Sequence, residues 1–548
     1  MKKLSVPFLW ITITFLTLTP VADAFGQDDD TRLLREPTIS EDRIVAADIP
    51  EADYAGLLSG PENHVFYQQE GTLQRYNVQE EKSEEFISSI QEAKISHDRK
   101  NLLYRSGETW GIVSTVGSPQ KPGDGQIDVS DVQVRVNPQD EWQQIFREGW
   151  RFQRDFLYVD NEHGAPWQKI YEWYKPWVDH IRHRSNMSYL IDILGGEISV
   201  GHSYTYGGDY PDLDQVSIGL LGADLERHEG RYRIKKIYSD ENWNPNLHAP
   251  LAQPGIDVQE GDYILAVNGR DLQAPSNPFR LFEETAERNT ILTVSSSPNM
   301  EDTRNVSVKP VSDESDLRLR NWIESNRRKV DEMSDGKLAY VWLPNTGQGG
   351  FEAFNRYYFA QQDKDGVVID ERNNGGGSAA DYMIDVMNRE LLGYFNSKVG
   401  DKYPPFTTPM AGLWGPKVML INERAGSGGD LLPYMFREKE IGPLIGTRTW
   451  GGLVGTWDTP QFIDGGGMIA PRGGFFNTDG EWDVEDEGIS PDIQVMQKPA
   501  AVINGGDPQL RRSVNEALNL LKDHNVELKE EPAPPNKWRR ADKTEGWN

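Results

Sequence analysis

Residues 417–437 read KVMLINERAGSGGDLLPYMFR, and the rest of the chain is organised around them. Val418-Met419-Leu420-Ile421 is an apolar run of the length of a buried strand. Leu431-Leu432-Pro433-Tyr434-Met435-Phe436 reads as a helix, and Ala425-Gly426-Ser427-Gly428-Gly429 lies between the two. The glycines permit a sharp corner and close backbone approach. The helix that follows offers unpaired N–H groups and the positive end of its dipole. An oxyanion formed at Ser427 would find donors there, so Ser427 is a candidate nucleophile. The run is not a G-x-S-x-G elbow, because Ala425 holds the first glycine position. A Gly-Ser-Gly run also serves as a plain turn, so the neighbouring segments must decide.

Those neighbours alternate. Leu338-Ala339-Tyr340-Val341-Trp342-Leu343 reads as a strand, 351–361 as a helix, Gly366-Val367-Val368-Ile369-Asp370 as a buried strand and 378–389 as a helix. Strands and helices in this rhythm imply crossover connections and a largely parallel sheet. After the second strand comes Asp370-Glu371-Arg372-Asn373-Asn374-Gly375-Gly376-Gly377, a loop whose backbone amides can face an anion. Phosphate could use such a loop, although G-x-x-x-x-G-K-[ST] is absent, and a second oxyanion donor explains it as well.

A serine nucleophile needs a base, and the chain has nine histidines. His202, in Gly201-His202-Ser203-Tyr204, sits between a glycine and a hydroxyl, while the others read as surface or loop positions. His180 and His183 are three apart and could share a metal, but no third ligand and no H-E-x-x-H accompany them, which favours a solvated face. The acidic cluster in Trp482-Asp483-Val484-Glu485-Asp486-Glu487-Gly488 reads as a solvated turn or as a source of one carboxylate to orient His202.

Composition bounds the partners. The 548 residues suffice for three or four domains, and 16 Trp, 21 Tyr and 19 Phe can fill large cores. A formal net charge of -29 argues against nucleic acid or anionic membranes as partners. With no cysteine there is no disulfide, thiolate nucleophile or cysteine metal site. Met1-Lys2-Lys3, an apolar run over 8–18 and Ala22-Asp23-Ala24 read as a signal peptide cut after Ala24. The expectation is an exported protein, periplasmic or secreted, with no membrane association after cleavage.

Upstream, 46–135 shows short strands and turns, blade-like but without a regular 40-residue repeat. Asn137-Pro138 opens a helix with an aromatic stripe, and 166–174 and 176–184 suggest further helices. Residues 208–312 resemble a PDZ domain. They carry Pro254-Gly255 and Glu260-Gly261-Asp262-Tyr263-Ile264-Leu265-Ala266-Val267-Asn268-Gly269, with strands expected over 216–221, 231–237, 291–295 and 305–309 and a helix over 278–288. In that resemblance Gly219, Leu220, Leu221 and Gly222 occupy the peptide-binding loop, which would hold an extended peptide as an added strand.

G-H-S-Y, the PDZ unit, R-N-N-G-G-G, A-G-S-G-G-D and V-E-D-E-G-I-S-P-D-I follow one another in an order that resembles the catalytic half of the tricorn protease family. That family belongs with the C-terminal processing peptidases, and the likeness covers about residues 90–525. It implies a multidomain α/β and β chain: signal peptide 1–24, leader 25–44, a β-rich propeller-like fragment 45–136, a helical part of the protease core 137–207, a PDZ domain 208–312, a crotonase-like or ClpP-like α/β serine protease core 313–528, and a Pro-rich charged tail 529–548. It implies Ser427 as nucleophile, His202 as general base and Glu485 as the acidic residue completing the relay. The amides of Gly428 and Gly376 would form the oxyanion hole, with a shift of one allowed in the glycine run. The archaeal type member carries a serine just before its histidine, where this chain has Gly201, so Glu485 would reach the imidazole through water or another hydroxyl. The activity implied is an exported serine endopeptidase acting on peptides or unfolded polypeptides, without metal or organic cofactor, and a homo-oligomer is a possible assembly. The rival is a catalytically degenerate PDZ scaffold that only binds peptides.

Overall fold

The computed structural model describes residues 54–523 apart from 134, 300, 397–405 and 458. It also describes 529–537, the short strands Ile39–Ser40 and Arg43–Ile44, and residues 49 and 52. The expected signal peptide lies outside the described residues.

The chain divides into two units, Met1–Val136 and Asn137–Asn548. In the first, Tyr54–Ser59, His64–Gln69, Thr72–Asn77 and Lys82–Ile87 form one antiparallel sheet in sequential order. Glu92–Ile95, Asn101–Ser106, Thr109–Ser114 and Gln126–Ile127 form a second. Phe66, Phe86, Leu102 and Tyr104 belong to one buried cluster beneath them.

The second unit opens with helix α1, Pro138–Phe156. The Asn137 side chain accepts the Gln139 N–H at its cap, and proline stands in its first turn. Ile145, Phe146 and Phe152 are buried in a cluster with Met187, Ile191 and Leu194 of α2, Arg184–Gly196. The helix expected over 176–184 is instead a 3-10 turn, Lys175–His180, and α2 starts immediately after His183. Nδ1 of His183 accepts the Ser185 N–H at 3.1 Å, so this histidine caps a helix. No cluster of three metal-ligating side chains occurs among the described residues.

The PDZ-like part is an antiparallel sheet in the order Ala223–His228, Arg231–Ile237, Tyr263–Val267, Thr290–Ser295, Arg304–Val308. Two expectations give way here. The strand over 216–221 reduces to isolated bridges, Ile218 with Glu283 and Leu220 with Val311. The helix over 278–288 reduces to a 3-10 turn, Pro278–Leu281. The amides that would have continued that helix bond elsewhere: Glu284 N–H donates to the Ser217 carbonyl and Glu287 N–H to the Pro310 carbonyl. Long-range backbone pairing outweighs local propensity.

The remaining core begins with α3, Ser315–Met333, and continues with β1, Leu338–Trp342; α4, Gln348–Ala360; β2, Gly366–Asp370; and α5, Ala380–Met387. It then adds β3, Lys417–Ile421; α6, Gly428–Glu438; β4, Leu444–Gly446; β5, Ile493–Gln494; and α7, Pro508–Asp523. The five strands lie in sequential order and every pairing is parallel. Every residue of β1, β2 and β3 is buried, as a parallel sheet covered on both faces requires. Ile323 and Val330 of α3 and Leu510 and Val514 of α7 join the same core cluster. The loops that leave the carboxyl ends of β2 and β3 therefore emerge side by side, where open α/β sheets form their sites.

Candidate active site

Ser427 caps α6 with φ 58° and ψ -117°. Side-chain-bearing residues seldom adopt this conformation, and a strained serine at a strand-to-helix corner has its hydroxyl thrust outward. The Asp430 carboxylate holds the corner by accepting the Ser427 N–H at 2.9 Å. The Asp430 N–H goes to the Ser427 carbonyl at 2.8 Å and the Gly429 N–H to the Gly426 carbonyl. Among the described residues the Gly428 amide has no partner, which leaves one donor open beside the hydroxyl.

The loop after β2 is pinned residue by residue. Arg372 forms a bidentate pair with Asp370 at 2.8 and 2.6 Å and reaches Asp507 at 3.1 Å. Asn373 and Asn422 exchange hydrogen bonds across the two loops, and the Asn374 carbonyl accepts the Gly426 N–H. A methyl group on Gly376 would lie 2.7 Å from Cβ of Ser427, so the loop abuts the serine. The Gly376 amide is nevertheless engaged, donating to Asn374 Oδ1 at 2.9 Å. Its carbonyl accepts the Thr346 N–H at 2.9 Å. In a trans peptide the next N–H points the opposite way, so the Gly377 amide faces away from Thr346. It has no partner among the described residues. The second open donor is thus at Gly377, one residue beyond the expected Gly376.

His202 is half-buried in a left-handed conformation, φ 59°. Its ring packs edge-to-face on Trp450, centroids 5.1 Å apart, and tilts against Tyr204 at 6.2 Å. Neither ring nitrogen has a hydrogen-bond partner among the described residues. Burial pushes its pKa below the ordinary value, opposed by the nearby Gly452 carbonyl and the Asp430 charge. Both favour imidazolium without offering a hydrogen bond of good geometry. Asp430 also accepts the amides of Gly451 and Gly452 at 2.9 and 3.0 Å, which ties the serine corner to the loop against His202.

Glu485 stands between Val484 and Asp486, both at positive φ, a genuine outlier for a β-branched valine. Its Oε1 accepts the Gly201 N–H at 2.6 Å. Its Oε2 has no partner among the described residues, and burial raises its pKa. Among the described residues no hydroxyl bridges it to the imidazole, and the neighbouring Ser203 Oγ accepts the Gln153 Nε2 N–H at 2.5 Å. Glu485 therefore holds the backbone that carries His202 rather than the ring.

The four residues expected to receive a peptide are tied to their own chain. Gly219 N–H donates to the Phe282 carbonyl, Leu220 N–H to the Val311 carbonyl, and Gly222 N–H to the Glu314 carboxylate at 2.8 Å. The Leu221 side chain belongs to the PDZ-like core.

Sequence reasoning missed Asp430 as an organiser, although Ser427-x-x-Asp430 is the spacing of a capping box. It also missed Trp450, Asn374 and Asn422, for which only distant contacts give a signal.

Three family models match: Tricorn protease C1 domain at residues 138–196, Tricorn protease PDZ domain at 219–313, and Peptidase family S41 at 337–495. The chain belongs to the tricorn protease family. That places it among serine-type peptidases by family. The tricorn protease of Thermoplasma volcanium is 28% identical over 497 residues, covering 90% of this chain and 47% of its own length. Tricorn protease homolog 1 of Streptomyces coelicolor is 31% identical over 458 residues, covering 82% and 42%. A crystal structure of the tricorn protease superposes with a TM-score of 0.78 at 26% identity, covering 88% of this chain and 48% of that one. The chain spans about half the length of the curated tricorn relatives it matches.

Proposed function

We propose that the protein is an exported serine endopeptidase that hydrolyses peptide bonds in oligopeptides or unfolded polypeptides. The observation that carries this reading is the strained Ser427 with an open Gly428 amide on its own helix and an open Gly377 amide on the facing loop. Ser427 Oγ attacks the scissile carbonyl as His202 takes its proton, and His202 then returns that proton to the leaving amine. The two amides hold the oxyanion, each worth about 10²–10³ in rate. Water then releases the acyl group by the same route in reverse. Glu485 acts through the Gly201 amide as a positioning residue.

The test is labelling of the purified exported protein with a fluorophosphonate, alongside peptide cleavage and the variants Ser427→Ala and His202→Ala. The expected result is a mature chain beginning at Phe25 that labels and cleaves, with both activities lost in the two variants. Full cleavage by Ser427→Ala would sink the assignment. The rival reading, a peptide-binding scaffold without catalysis, draws on the missing hydroxyl link to His202. It is weakened by the 219–222 loop, whose amides at Gly219, Leu220 and Gly222 are already occupied. A homo-oligomer is part of the proposal and is checked by light scattering.

A further inference from the structure

Trp450 lies between the two halves of the proposed catalytic pair. Its backbone N–H donates to the Ala425 carbonyl at 2.8 Å, two residues before Ser427. A methyl group on Gly426 would lie 2.5 Å from the indole Cε3, and one on Gly201 would lie 3.4 Å from Cη2. Gly452 leaves room for the same ring. The indole thus fills a slot bounded by the residue before Ser427 and the residue before His202. Its contact with His202 is a T-shaped pair at 89°, the geometry in which a ring edge meets an aromatic face favourably. Asp430 fixes the Gly451 and Gly452 amides, so the loop bearing Trp450 is clamped to the serine corner. The indole is 44% exposed, so one part of it remains at the surface while another touches the imidazole.

A serine triad needs a group that fixes the orientation of its imidazole. Among the described residues no side chain bonds either ring nitrogen of His202: Glu485 places one carboxylate oxygen on the Gly201 amide, Asp430 accepts three backbone amides, and Ser203 Oγ accepts the Gln153 side chain. We infer that Trp450 is a second positioning residue for His202 beside Glu485, orienting the imidazole towards Ser427 by ring packing where no side chain hydrogen-bonds the ring. The inference rests on the peptidase reading above. It assigns the glycines at 426 and 452 a shared purpose, which is to admit an indole where any side chain would push it out. A misdirected imidazole costs rate steeply, since an error of about 1 Å can cost about 10²-fold.

The experiment measures the rate of fluorophosphonate labelling against pH for the parent protein, Trp450→Ala, Trp450→Leu and Trp450→Phe. Circular dichroism and thermal melts confirm folding. The ionisable groups around His202 are Asp430, Glu485 (through Gly201) and Tyr204, and none of the variants alters them. Folded Trp450→Ala is expected to label about 10–100-fold more slowly. Its acid limb should move to higher pH, because water then reaches a ring whose pKa burial had lowered. Trp450→Phe should keep most of the rate and the parent limb. Trp450→Leu fills the slot without an aromatic face, so it should lose rate as alanine does while its limb stays near the parent's, and it carries the test if the alanine variant unfolds. Parent-like rate and limb in folded Trp450→Ala or Trp450→Leu would overturn this inference alone. A slower rate with an unmoved limb, equal in the phenylalanine variant, would also overturn it. Absence of labelling in the parent would overturn the peptidase reading together with it.

Discussion

At the scale of single residues, the site is held by a buried and a half-buried carboxylate that bond backbone amides. Asp430 accepts three of them and Glu485 one. Behind them lies Glu371, fully buried, with one oxygen unpartnered among the described residues and the other receiving a 3.2 Å bond from Asn374. Burial, reinforced by the Asp430 charge, raises its pKa well above the ordinary 4.5. Below the ordinary value both folded and unfolded chains hold the proton and the residue costs nothing. As pH rises past it the unfolded chain loses the proton first, so stability falls until the folded-state pKa is reached. The fall is about 1.4 kcal/mol per pH unit within that window. Glu371→Gln removes the titration, so its melting temperature at neutral pH should exceed the parent's, with the difference closing as pH drops towards 4.5. A glutamine variant less stable than the parent at neutral pH would show that the folded protein uses a charged Glu371.

At the scale of elements, the parallel strands and the loops after β2 and β3 were legible because their signals are short-range: short apolar runs, then glycine. What each loop residue does was not legible. Arg372 reads as one more polar loop residue, yet it is buried and spans Asp370, Asp507 and Gln509. Tyr340 adds a bond to Asp370 at 2.8 Å. Replacing Arg372 by methionine keeps much of its volume and strands the Asp370 carboxylate without its counter-ion. We expect a loss of about 3–5 kcal/mol in urea denaturation, the cost of breaking a buried pair from one side. A loss below about 1 kcal/mol would mean that water or the Tyr340 hydroxyl already compensates Asp370.

At the scale of the whole molecule, the PDZ-like part is recognisable from P-G and G-D-Y-I-L-A-V-N-G, but its expected loop chemistry is not what the fold delivers. Glu314, at the entry to α3, places its carboxylate on the Gly222 amide and is itself held by Arg318 at 2.5 Å. A terminal carboxylate of a peptide would have to displace it. Titration of the Ser427→Ala protein with a peptide and its C-terminal amide should therefore give equal affinities. A preference for the free acid of about tenfold, equivalent to about 1.4 kcal/mol, would show that the loop does capture carboxylates.

By itself the sequence determined the class of chemistry and the family. A serine in a glycine corner between strand and helix, a glycine loop after the preceding strand and a histidine beside a glycine are local patterns, and local backbone physics requires them wherever the chain lies in space. Tertiary structure alone decided which groups answer one another. Glu485 meets the Gly201 amide across 284 residues, and Trp450 enters the space between Ser427 and His202. Gly377 rather than Gly376 keeps a free amide because Asn374 has taken the other. Such pairings depend on the positions of whole strands and loops, and a residue's type carries no record of which distant amide or ring will reach it.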